Sequence, residues 1–165
     1  MPVRDGAFEV VLAVHMLYHV PDRESAVREP RRVLAAGGAC IAVTNGAEHL
    51  RSLRDLVERA GGEGTPGWQM RNPASNAFAA ENAAAQLGVA FQTVTCVRPA
   101  GAGPVIIRDA AVAADYVASV AGHYQDEITR PWQDLVEDVR QQVQALIDDE
   151  GAFLTFGDLA AFVCQ

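Results

Sequence analysis

Lysine is absent. All thirteen basic residues are arginine, so no lysine amine is available for Schiff-base chemistry. Positive charge is also outweighed: with 21 acidic residues the formal net charge is −8. Nothing in such a chain would neutralise a run of phosphates, which excludes nucleic acid as a general partner. Cysteine is sparse. Cys40, Cys96 and Cys164 are odd in number, far apart and each set in an apolar run, so they read as buried free thiols in a reducing compartment. No apolar run approaches ~18 residues, and no basic N-terminal region precedes a signal-type stretch, so a cytoplasmic protein without membrane contact is expected. Metal-ligand spacing amounts to His15-x3-His19, with no motif to supply further ligands, and no metal is expected. The serines lie in no nucleophile elbow.

What is present suits a single α/β domain over 1–165. Half of the residues are hydrophobic and about a fifth charged, ordinary for a globular chain that can bury a sizeable core. Phe8–Val14 (FEVVLAV) is a short, nearly continuous apolar run, the pattern of a strand buried on both faces. Asp22 is a candidate N-cap for a helix over Arg23–Leu34, with Pro30 an oddity inside it and Gly37-Gly38 its stop. Ala39–Thr44 reads as a second buried strand, parallel to the first. An amphipathic helix over 48–60, a Gly/Pro-rich loop over 61–73 and a small-residue helix over 74–87 follow. Phe91–Val97 alternates like a strand, with Val105–Arg108 its expected hairpin partner. Asp109 caps a helix to about Ala121. A long helix over 131–149 and a terminal hairpin or bent strand around Gly157-Asp158 complete the chain.

The stretch DGAFEVVLAVHMLYHVPD resembles a segment of the class I S-adenosylmethionine-dependent methyltransferases. There an Asp-Gly-x-Phe-Asp turn leads into the fourth strand, followed by a His-bearing loop and Val-Pro-Asp. REPRRVLAAGGACIAVTN resembles the next helix, its Gly-Gly stop and the fifth strand. The likeness is close over about residues 3–60 and looser beyond. It implies a partial Rossmann-like sheet of strand order 4-5-7-6, with helices on both faces and a helical cap at about 61–90 and 109–130. It implies a residual cofactor surface at Val14, His15 and Met16, acid/base candidates His15 and His19, and a substrate pocket drawing on Tyr18, Trp68, Met70 and Tyr124. Histidine near neutral pH suits general acid/base work, although both histidines would serve equally as strand caps. The aromatic residues suit an apolar pocket or plain core.

The family's first strand and Gly-x-Gly-x-Gly loop, and the acidic residue that holds the ribose, find no match here. Read as a chain that starts at Met1, the protein is expected to be a truncated methyltransferase-like chain that binds no S-adenosylmethionine alone and uses it only where a partner completes the site. Phe8–Val14 would then be an exposed apolar edge, which invites pairing. The expected remedy is a homodimer through that strand, making a continuous eight-stranded sheet, with a full-length methyltransferase as the rival partner. A binding or auxiliary role leads. The alternative is a small-molecule enzyme, either methyl transfer restored by assembly or new acid/base chemistry in the residual pocket.

Overall fold

The computed structural model describes residues 2–61, 77–98, 103–124, 128 and 130–165, the side chains of His123 and Tyr124 excepted. They form two compact units. The first comprises Met1–His49, Arg71–Ala102 and Asp158–Gln165, the second Leu50–Met70 and Gly103–Gly157.

The first unit is built on a four-stranded sheet of β1 (Phe8–Val14), β2 (Leu34–Asn45), β3 (Val94–Val97) and β6 (Leu159–Cys164), in the order β1-β2-β6-β3. β1 and β2 are parallel, as their linking helix requires, with Val11 opposite Cys40 and Val14 opposite Val43. β6 runs antiparallel to both of its neighbours. One face is buried: Ala13, Cys40, Ala42, Ala160, Phe162 and Cys164 lie under α1 (Arg23–Val33) and α3 (Ala83–Leu87), which contribute Val27, Ala83 and Leu87, with Phe78 and Phe91 alongside. Each large side chain removed from water there is worth about 1.5–3 kcal/mol. Helices were expected on both faces. Among the described residues of this unit the helices that pack on the sheet share one face, and the other carries Val10, Leu12, Val14 and Val97 exposed to solvent.

Local chemistry explains the helix ends. The Asp22 carboxylate accepts the Ser25 N–H at 3.1 Å and starts α1. That bond, with the Ser25 hydroxyl first, holds the Asp22 carboxyl below its usual range. Pro30 is tolerated because its ring is buried, while its carbonyl still accepts the Leu34 N–H. The helix ends at Val33, before the Gly-Gly pair that was expected to stop it. Gly37 and Gly38 lie within β2, where the register jumps from Phe8–Leu34 to Val10–Ala39. Gly37 takes φ 79°, and a Cβ on Gly38 would come within 2.8 Å of the Glu9 carbonyl oxygen. Close approach and left-handed backbone, not helix termination, call for glycine here.

The second unit packs α2 (Arg51–Ala60), α4 (Ala110–Ser119) and α6 (Trp132–Glu150) around Leu53, Leu56, Val57, Ala113, Val117, Leu135, Val139 and Val143. A short helix, α5 (Ala121–Tyr124), follows α4. The expected pairing of 105–108 with 91–97 does not form. β4 (Gly103–Ile107) pairs antiparallel with β5 (Phe153–Gly157), and β3 pairs with β6. Across the β4–β5 ladder buried Phe153 faces buried Ile107, and exposed Leu154 and Phe156 face exposed Ile106 and Pro104. The terminal segment is therefore two strands, divided at Asp158 between two sheets.

Candidate functional site

Parallel strands gather functional groups at their carboxyl ends, because the chain leaves the sheet there into loops. At the end of β1 the His15 N–H donates to the Val43 carbonyl at 2.9 Å, closing the ladder with β2. His15 itself takes φ 49°, in the left-handed region that few non-glycine residues enter. This turns the chain into a 3-10 turn, Leu17–His19, anchored by the buried Leu17 and by the His19 N–H donating to Met16 O at 3.1 Å. The Tyr18 ring lies 4.4 Å from that of His19 and 6.4 Å from that of His15, tilted by 58° in each case. His15 and Tyr18 are half-buried, and Val14, Met16 and His19 are exposed. The loop therefore brings together Val14, His15, Met16, Tyr18 and His19. Trp68 and Met70 lie outside the described residues. Tyr124 closes α5, and its side chain is likewise outside them.

The neighbouring end of β2 holds a cluster that sequence reasoning missed. Asp158 is buried and pairs with Arg98. Its N–H donates to His49 Nδ1 at 3.2 Å, and its carbonyl accepts the Gly46 N–H at 3.0 Å. The bond to Nδ1 uses that ring nitrogen's lone pair, so the neutral His49 ring carries its proton on Nε2. A Cβ on Gly46 would stand 1.9 Å from Asp158 Oδ2. Thr44, buried, donates its hydroxyl to Phe78 O at 2.8 Å, and the Ala47 N–H reaches the Glu81 carboxylate at 3.3 Å. The signal was faint: a lone Gly157-Asp158 step in an apolar run, far in sequence from its partners.

Chemically, the rim at the end of β1 offers two imidazoles beside an aromatic ring. No group of three or more His, Cys, Asp or Glu side chains among the described residues gathers as for a metal ion. Two thiols are inert by burial, which pushes Cys40 up to about 11 and Cys164 up to about 12. Cys96, expected in the strand core, is exposed because β3 is a short outer strand. A cleft of about 310 Å³ between Arg28, Arg31, Arg32, Val89 and Ala90 lies toward the other end of α1, away from the histidines.

Residues 1–42 match the family model described as a methyltransferase domain. Over 63 residues, 36% of the chain, it is 38% identical to ajmaline N-methyltransferase of Rauvolfia serpentina, and it spans 22% of that relative's length. A putative methyltransferase from an antibiotic biosynthesis pathway of Anabaena variabilis superposes on all of the chain and on 69% of its own, with TM-score 0.63 and 14% identity. The chain has the fold of this methyltransferase, and its residues 1–42 carry the sequence pattern of a methyltransferase domain. The YcgJ protein of Bacillus subtilis shows the same fold at TM-score 0.50 and 15% identity, covering 100% of the chain and 67% of its own. As a family, these methyltransferases use S-adenosylmethionine. Among the described residues, the space beside Gly46 at the end of β2 is filled by this chain's own Asp158. No helix among the described residues is long and apolar enough to cross a membrane.

Proposed function

We propose that this chain of methyltransferase fold carries the substrate-side wall of a small-molecule methyl-transfer site and works by association. By itself it binds S-adenosylmethionine weakly or not at all, and serves as a binding or auxiliary protein. The observation that supports this reading is β1. Its carboxyl end carries His15 and the aromatic turn, and its side chains Val10, Leu12 and Val14 stand on an exposed sheet face, at 54, 65 and 51%. His15 and His19 are the groups suited to hold or accept a substrate proton, Tyr18 orients them, and Val14 and Met16 offer apolar contact.

Calorimetry with S-adenosylmethionine and its demethylated product tests the reading. Weak or absent heat from the chain alone is expected, and micromolar binding by the chain alone would sink it. A second reading, acid/base chemistry on another small metabolite, rests on the His15–Tyr18–His19 cluster. It gains support if turnover of such a metabolite is found and is lost in His15→Ala or His19→Ala.

A further inference from the structure

The cleft beside the second half of α1 has two unlike walls. One is the helix face that carries Arg28, Arg31 and Arg32, at the three- and four-residue spacing that sets side chains on one side of a helix. The other is Val89 and Ala90, in the turn after α3. Main-chain bonds pin that turn: the Val89 N–H donates to Gln86 O at 3.4 Å, and the Ala90 and Phe91 N–H groups both donate to Leu87 O at 3.1 Å. Leu87 and Phe91 are buried beneath it. None of the lining residues is acidic, in a chain of net charge −8. The arginines are not equivalent. Arg32 is fully occupied, its Nε and Nη2 donating to the two Glu29 carboxylate oxygens at 2.8 and 2.6 Å and its Nη1 pairing with Asp5. Arg28 gives Nη2 to Glu24 at 2.6 Å, and among the described residues its Nε and Nη1 have no partner. Arg31 is exposed and makes no ion pair or side-chain hydrogen bond among the described residues.

We infer that this cleft binds a small organic anion, a phosphate or carboxylate head carried on an apolar body. The planar guanidinium of Arg31 takes the head through two parallel N–H donors, and Arg28 adds its remaining donors from one turn earlier. Arg32, held by its carboxylates, makes no bond to the head and serves as wall. Val89, 49% exposed, and Ala90 give the body its apolar contact. Like charges three and four residues apart on a helix repel one another, so an anion seated among them relieves that repulsion as it binds. A concave site of about 310 Å³ is the size that takes a small molecule, a head and about one ring. It lies away from the histidine rim, so the inference is independent of the methyl-transfer reading.

Nuclear magnetic resonance titrations with phenyl phosphate, benzoate and inorganic phosphate, at constant ionic strength, test it. At least one aromatic probe should saturate with a dissociation constant of about 1 mM or below, and the tighter of the two identifies the head. Inorganic phosphate, which lacks the apolar body, should bind more weakly than phenyl phosphate. Arg31→Gln should weaken the tighter probe by about tenfold or more with unchanged circular dichroism. Arg31→Lys keeps the charge without the planar fork and should recover part of that loss. Val89→Glu, outside the helix, sets a carboxylate in the cleft and should abolish binding of both aromatic probes. No saturable shift from either probe up to ~10 mM overturns the inference. So does an Arg31→Gln chain that binds like the wild type. Arg31 and Arg32 lie in the last turn of α1, where cations also offset the helix dipole. If that were the whole role of Arg31, Arg31→Gln would lower the urea midpoint and leave the affinity unchanged. Calorimetry with S-adenosylmethionine reads a different site, so the two readings fail separately.

Discussion

Thr155 is the residue whose chemistry is least at ease. It is 5% exposed in β5, and among the described residues its hydroxyl oxygen has no hydrogen-bond partner. A buried hydroxyl without a partner costs about 1–3 kcal/mol. Thr155→Val keeps the shape and the β-branching, so it is expected to raise the unfolding free energy by about 1 kcal/mol, read as a higher urea midpoint. A lower midpoint would mean that a bound water satisfies the hydroxyl. The thiols make a second test at this scale. Cys40 is held up at about 11 by burial, and Cys164 at about 12 by burial and by its neighbour Cys40. Each thiol ionises more readily unfolded, near its ordinary 9.0, than folded. Their neutral form is thus stabilising below that value, and the advantage is lost as pH rises through 9 toward 11 and 12. Stability of the wild-type chain should fall over that range more steeply than that of a Cys40→Ala, Cys164→Ala double variant. Parallel curves would refute the account. At neutral pH a thiol reagent should titrate one cysteine, Cys96, and reach the other two on unfolding.

At the scale of elements, Asp158 ties distant segments together through Gly46, His49 and Arg98. The Gly46 backbone and the Asp158 carboxylate pack with no room for a methyl group between them. Gly46→Ala is therefore expected to destabilise by about 1–3 kcal/mol, as overpacking does. Asp158→Ala in the same chain should recover part of the loss, and additive effects in chemical denaturation would show that the two do not touch. This contact also marks where the sequence became hard to read. β1, α1, β2, α2 and α6 were legible because their periodicity and caps are local: FEVVLAV for β1, Asp22 for α1, Leu135, Val139 and Val143 for α6. The partner of β4 was not legible. Proximity in sequence favoured β3, but the ladder with β5 is chosen by Phe153 and Ile107 meeting in a core built from three helices. Gly37-Gly38 was misjudged for a similar reason, since its cause is a Glu9 oxygen on another strand. Of the candidate site, the His15–His19 loop was visible as a motif, whereas His49, Arg98 and Asp158 converge only through tertiary pairing.

The molecule as a whole is strongly acidic. Each chain carries a formal −8, and like charges gathered in a compact fold repel one another over distances comparable with the Debye length, about 10 Å at 0.1 M salt. Salt screens that repulsion and leaves apolar burial largely intact. The urea midpoint should therefore rise as salt goes from ~20 to ~300 mM. A midpoint that falls over the same range would mean that arginine–carboxylate pairs such as Arg28–Glu24 and Arg140–Glu137 outweigh the net repulsion.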